Sequence, residues 1–386
     1  MFITEGFWLK VFIFILILVA VFLLLNMLVL RKMKNVTKAQ NITINIMVAA
    51  GIIYLFYRIY KVIPEILNPS VFLTQQIFSS IVNVCVLALA TTGIVLIFKT
   101  STTTNFAQGM VATFGAFVAA KVIVYLTATF TEMNATLMVV LAMIGSALTA
   151  FILGILIDTL IIRKSKLPTA VGKQMITMGL VLIFSGLMPI IFGTLPLAVP
   201  KLSYAENIKI IIDDTTPLLQ FLFNTEAAQL SITMHAMYSL IITVVLLVLL
   251  FSLLRFTKWG LGVRATASNE LVANMMGVNT RVITAMSWAI AGLLGGTAAV
   301  ILAPSTGTLQ VSMMIPTQVN AFLAAILGSF SSFAGPLIAT IITPVLTGLL
   351  VFVVPLWQNA VVYIIILVIV LVKPSGLFGK QIAKKV

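Results

Sequence analysis

The chain has 386 residues, of which 61% are hydrophobic and 8% charged. Soluble domains carry about 25% charged residues, so a water-soluble enzyme is excluded, and so is a disordered chain. The formal charge is +14, from 23 Lys and Arg against 9 Asp and Glu; in a chain this apolar, such an excess is tested against membrane sidedness before nucleic-acid binding.

A membrane helix needs about 20 apolar residues. The first run is Trp8 to Leu30, followed by Arg31, Lys32, Lys34 and Lys38. It is too long for a signal-peptide core and predicts an uncleaved anchor. Further runs fall near 42–60, 73–98, 107–127, 136–161, 172–192, 234–254, 283–303, 318–333, 336–354 and 356–372, which makes eleven crossings. The run at 318–333 carries Asn320, Ser329, Ser331 and Ser332 and is also readable as a half-helix or re-entrant segment. The fold class is an all-α polytopic membrane protein of about 11 transmembrane helices, placed in the cell membrane.

Basic residues concentrate on the cytoplasmic side of a membrane. With the N-terminus outside and the C-terminus cytoplasmic, 17 of the 23 basic residues fall inside, while 7 of the 9 acids fall outside. No other parity of spans sorts the charge this well. The excess is therefore a topology signal and predicts no nucleic-acid partner.

Small residues recur every four positions at Ala112, Ala116 and Ala120. They do so again at Ala142, Ser146, Ala150 and Gly154, and at Ala291, Gly295, Ala299 and Ala303 beside Gly292 and Gly296. Such stripes form grooves that let another helix approach closely, for packing or for sliding. Proline enters the later spans at Pro304, Pro316, Pro336, Pro344 and Pro355. Pro336 suits a first helical turn, and Pro344 predicts a kink.

Two polar stretches interrupt the spans. The external one, Gly193 to Thr233, is either a docking surface for an external protein or a passive cap. The cytoplasmic one, Arg255 to Arg281, contains a short predicted helix over 268–277. Ser268 caps it, Glu270 sits in its first turn, and Gly277 closes it in a left-handed conformation. Leu271 with Met275, and Val272 with Met276, form an apolar face. A helix this short is not stable alone and must pack on its own bundle or on another protein.

Catalytic signatures are missing. There is no GxxxxGK[ST] loop, since Gly379-Lys380 is followed by Gln381. Cys85 and His235 lie in separate spans, so no metal cluster is expected. Asp158 is the one acid associated with a span, and its nearness to Arg163 predicts a structural ion pair. A proton- or sodium-coupled carrier is thereby disfavoured.

At this point the residues match a family. Arg264-Ala265-Thr266-Ala267-Ser268-Asn269-Glu270 through Met276-Gly277-Val278-Asn279 resembles the cytoplasmic loop of LivH-type permeases, the membrane subunits of branched-chain amino acid ABC importers. Asn105-Phe106-Ala107-Gln108-Gly109 resembles their signature near the second core span, which usually has His where this chain has Gln108. Ala324-Ala325-Ile326-Leu327-Gly328 with Phe333-Ala334-Gly335-Pro336 resembles their late glycine-rich turn, and Lys373 to Gly379 their tail. The matches cover roughly residues 80 to 382 in family order.

The resemblance implies an importer permease core over 69–386 and a two-span N-terminal extension over 1–68. It implies two cytosolic ATP-binding subunits, a second permease subunit in a heterodimer, and an external substrate-binding protein. ATP and Mg would reside on the partner subunits, with no cofactor and no catalytic residue in this chain. Arg264, Ala265, Ser268, Asn269, Glu270, Leu271, Met275, Met276 and Gly277 would form the coupling helix and its ATPase contact. Asn105, Gln108, Gly109 and Asn320 are candidates for the substrate path. The implied cargo is hydrophobic amino acids. Another small solute such as urea, a sugar or a nucleoside, and a standalone carrier or channel, remain alternatives.

Overall fold

The computed structural model describes residues 69–130, 132–165, 169–212, 228–353, 356–373 and 376–378. The runs expected at 8–30 and 42–60 lie outside them. In chain order the elements are α1 (Pro69–Ser101), α2 (Gln108–Thr129), α3 (Ala135–Leu156) with a π-helical extension (Ile157–Ile162), and α4 (Ala170–Phe192). Strands β1 (Ile208–Ile212) and β2 (Ala228–Ile232) follow and pair in a two-stranded sheet. Then come α5 (Met234–Phe256), α6 (Lys258–Ser268), α7 (Glu270–Met275), α8 (Thr280–Thr306), α9 (Ile315–Gly328), α10 (Ala334–Val353) and α11 (Gln358–Val372).

Among the described residues, seven helices are long and apolar enough to cross a membrane: α1, α2, α3 with its π extension, α4, α5, α8 and α10. The run expected at 318–333 is a helix of 14 residues that ends at Gly328. At 1.5 Å per residue it is about 21 Å long, short of a hydrocarbon core of about 30 Å. The helix alone is thus a half-helix, and a crossing over 318–333 needs the non-helical residues 329–333 to complete it. α11 is also short, with 15 residues. α10 continues as a helix through Pro344. The stretch after Gly193, read from sequence as a loop, contains the β1–β2 sheet.

Two compact units emerge. One comprises Ser79–Ile208 and Ser231–Ile341; the other takes in the described residues of Met1–Phe78, Lys209–Leu230 and Ile342–Val386. In the first unit the three small-residue stripes meet one another, and α2, α3 and α8 form its centre. Ala112, Ala116, Ala120, Ala142, Ser146, Ala150, Ala291, Ala299 and Ala303 are all buried. The Ser146 hydroxyl donates to the Gly296 carbonyl at 3.0 Å across the seam. A methyl group on Gly154 would collide with the Trp288 carbonyl, and one on Gly292 with the Ala150 carbonyl. Backbone-to-backbone approach of this kind is open only to glycine. By contrast α4 and α5 carry exposed Leu182, Ile183, Ile190, Val245 and Val248, the outer face expected of helices that meet lipid.

His235 at the start of α5 is buried. Its Nδ1 accepts from the Leu202 N–H at 3.2 Å, and its Nε2 lies 3.1 Å from the Ile301 carbonyl. The first contact fixes the tautomer with the proton on Nε2, so the ring is a neutral structural bridge.

The seam yields a comparative prediction. Gly292→Val should cost about 3 kcal/mol, the upper end of the usual range for overpacking, because the clash is with backbone that cannot rotate away. Gly179→Val, at an α4 position with open space around it, should be tolerated. Thermal unfolding of the two purified variants, read side by side, checks this.

Candidate functional site

Two places in the first unit carry the family-like residues. The first is the turn into α2. The Asn105 Oδ1 accepts from the Ala107 N–H at 2.9 Å, and the Phe106 N–H donates to the Thr177 hydroxyl at 3.1 Å. From the opposite side comes Gln318 of α9. Its Oε1 accepts from the Gly109 N–H at 2.6 Å, and its Nε2 donates to the Phe106 carbonyl at 2.5 Å and reaches the Asn105 carbonyl at 3.5 Å. One side-chain amide thus satisfies the open backbone groups of a helix start.

Gln108 is the first residue of α2. It is buried, and its Nε2 donates to the Ala90 carbonyl at 3.3 Å. Its Oε1 is buried without a hydrogen-bond partner, and the residue borders a cavity of about 10 Å³ with Ala112, Gly295, Met314 and Gln318. That is the space of about one water molecule. A neutral acceptor here offers a hydrogen bond to any donor that enters, with no titratable group involved.

Asn105, Gln108 and Gly109 therefore come together. Asn320 does not join them, because it sits two residues from Gln318 and helix positions i and i+2 do not share a face. Gln318 was missed in the sequence, where it stood as one more polar residue in an apolar run beside the equally plausible Asn320. Nothing in the pattern alone distinguishes the two.

The second place is the α6–α7 knob. Thr257 ends α5 and starts α6; its hydroxyl accepts from the Gly260 N–H at 3.1 Å. α6 then runs on through Ser268, so Ser268 does not cap the short helix. The cap is Asn269, whose Oδ1 accepts from the Leu271 and Val272 N–H groups at 3.0 and 3.1 Å. The helix is accordingly Glu270–Met275 rather than 268–277. Its C-terminal reading holds. Gly277 has φ +85°, the Val278 N–H donates to the Ala273 carbonyl at 3.0 Å, and the Gly277 N–H donates to Asn274 at 3.1 Å. This is the Schellman closure.

Ala273 is the buried residue of α7. The apolar face expected to pack is instead open: Leu271 is 74% exposed, Met275 85% and Met276 80%. Arg264, Ser268, Asn269 and Glu270 are exposed around them, while Ala265 is half-buried.

Behind α7, the π-helical end of α3 stacks residue 163 over residue 158, with the Arg163 N–H bonded to the Asp158 carbonyl at 2.9 Å. Their side chains form the ion pair expected from sequence, at 2.5 Å, with the Asp158 side chain buried. Arg163 Nη2 also donates to the Arg281 carbonyl at 2.6 Å, in the first turn of α8. Asp158, Arg163, Glu270, Asn274 and Arg281 all border one polar cavity of about 300 Å³. Among the described residues no group of three potential metal ligands occurs.

With this geometry in hand, comparison with known proteins is decisive. Residues 76–371 match the family described as "Branched-chain amino acid transport system / permease component". The chain belongs to this family. It is a multi-pass membrane permease. It is similar to the high-affinity branched-chain amino acid transport system permease protein LivH of Salmonella typhimurium, with 23% identity over 81% of this chain and 97% of that protein. The LivH of Escherichia coli K12 is 22% identical over the same shares. A probable LivH permease of Methanocaldococcus jannaschii is 24% identical over 76% of this chain and 88% of its own length. No solved structure matches.

Gln318→Leu should leave the Gly109 N–H and the Phe106 carbonyl of this permease without their partner. At about 1–3 kcal/mol for each stranded buried group, the purified variant should unfold at a clearly lower temperature than wild type. Asn320→Leu, outside the cluster, should not, and the pair of melting curves decides between them.

Proposed function

We propose that this chain is the permease subunit of an ATP-driven importer for hydrophobic, branched-chain amino acids. The observation that carries the proposal is the α7 knob: a helix of 6 residues, capped at both ends and held by Ala273, that turns Leu271, Met275 and Met276 outward. Apolar side chains on a short, well-closed helix suit a groove on another protein. Two cytosolic ATP-binding subunits supply that groove, and ATP and Mg belong to them. The chain itself catalyses no hydrolysis. A second permease subunit completes the transport path, and an external binding protein delivers the cargo.

Movement of α7 has a short way to travel. The Schellman turn at Gly277 leads directly into α8, which carries the close seam with α3. Arg163 ties the π-helical end of α3 to the first turn of α8. A push on α7 therefore reaches both helices of the seam, and the bundle alternates between outward and inward access. The turn at Asn105, Gln108 and Gly109 borders the cargo path, with Asn320 a further lining residue. The substrate class follows the names of the relatives. The uncharged Gln108 acceptor supports a second reading, a small polar solute such as urea.

The membrane arrangement we propose has eleven crossings, with the N-terminus outside and the C-terminus cytoplasmic. It rests on the asymmetry of 17 basic residues on one side against 6 on the other. Residues 1–68 form a two-span extension before the permease core of 69–386, a boundary supported by a family match that begins at residue 76.

Gly277→Val forces a β-branched residue into φ +85° and should loosen the end of α7 while insertion is retained. Uptake of labelled leucine should fall at least about tenfold, the effect of some 1.4 kcal/mol on a coupled step, and ATP hydrolysis should continue without transport. Normal uptake would sink the coupling assignment. Met275→Asp should prevent co-purification of the ATP-binding subunits. Single cysteines at Ser165 and Thr216 should label from the cytoplasmic and external sides respectively; the reverse labelling refutes the orientation.

A further inference from the structure

A second, larger cavity lies in the same unit, of about 540 Å³, bordered by the last turns of α1 and α5, by α6, and by Ser332 and Phe333. Three cations line it, Lys99, Arg255 and Arg264, and no carboxylate does. Its apolar wall is made by Phe251, Leu254 and Phe333. The cavity shares Arg264 and Ser268 with the expected ATPase contact, and the transport reading gives its other lining residues no role.

The arrangement of polarity within it is informative. Lys99 and Arg255 stand in the final turns of two membrane helices. Phe251 lies four residues back from Arg255, one helical turn towards the interior of the span. Positive charge thus occupies the level at which a span ends, and apolar surface continues beneath it.

Lys99 is held in place. Its Nζ donates to the Ser331 carbonyl at 2.6 Å and lies 5.2 Å from the centroid of the Phe333 ring. Two of its three N–H donors remain to be given. Arg264 is exposed on α6 with its guanidinium fork available, and such forks match the oxygens of a phosphate. Three cations around one cavity without a counterion repel one another, and an anion relieves that repulsion.

We propose that this cavity binds an anionic phospholipid. Its phosphate would sit among Lys99, Arg255 and Arg264, and the first segment of its acyl chains would run along Phe251, Leu254 and Phe333. Basic pockets between membrane helices recognise anionic headgroups in this way. Free phosphate shares the headgroup chemistry but makes no use of the apolar wall. The inference does not rest on the coupling role of α7, because Lys99, Arg255 and the wall residues lie outside that helix.

The test uses the full chain purified in detergent, with native mass spectrometry and thermal unfolding as readouts. Phosphatidylglycerol should remain bound and raise the unfolding midpoint. Phosphatidylcholine should do so weakly, and inorganic phosphate at equal concentration should not. Lys99→Gln with Arg255→Gln should reduce phosphatidylglycerol retention by about fivefold for each cation removed, whereas Lys201→Gln, remote from the cavity, should leave it unchanged. If the double variant fails to accumulate, Arg255→Gln alone suffices, since Arg255 is exposed. Undiminished retention in that variant overturns the proposal. So does equal binding of phosphatidylcholine, or a phosphate effect equal to that of phosphatidylglycerol. A variant that keeps its lipid but loses co-purifying ATP-binding subunits would assign the cavity to a protein carboxylate and overturn it as well.

Discussion

Everything in the described core depends on how closely α3 and α8 approach. Lipid chains are as apolar as leucine, so burial of hydrocarbon does not drive membrane helices together; close packing and hydrogen bonds across the contact do. At this seam the side chains have been removed. Gly154 lies under the Trp288 carbonyl, Gly292 under the Ala150 carbonyl, and Ser146 donates to Gly296. Dispersion falls away steeply with distance, so contacts of this kind are lost almost completely once the backbones separate by an ångström or so. The seam is accordingly a stiff joint. α2 packs on it through its own alanines, and α8 leads out of it to the α7 knob.

The sequence foretold this much because small residues at four-residue spacing have one structural use in a long apolar helix, and three stripes with the same spacing can satisfy one another. The long spans were equally plain, since length and hydropathy are sufficient for them. The end of α7 was legible too. A glycine after two methionines, with valine next, leaves few alternatives to a left-handed closure.

What was not legible depended on tertiary contact. Ser268 and Asn269 are both good capping residues, and only the continuation of α6 through Ser268 decides between them. That continuation in turn needs Gly260 against the Leu254 backbone and Gly262 against Ile283, contacts no local pattern announces. The role of Gln318 was hidden for a similar reason. Its partners are backbone atoms more than two hundred residues away. The short span of α9 was likewise half visible: the serines that mark its end could also have been carried inside a crossing.

The Gln318 amide has a mechanical consequence. It grips both a donor and two acceptors of the turn before α2, so α9 and the start of α2 cannot part without stranding three backbone groups at once. They move as one body. Compliance must then be found in the connections that flank α9: Gly307, which closes α8, has φ +72°, and Ser329, directly after α9, has φ +81°. A non-glycine residue in that region is strained, and the strain sits beside Gly328, whose hydrogen packs directly on the Gly335–Pro336 backbone. The short helix is in this sense a lever with a fixed grip in its first turn and bent joints on either side of it.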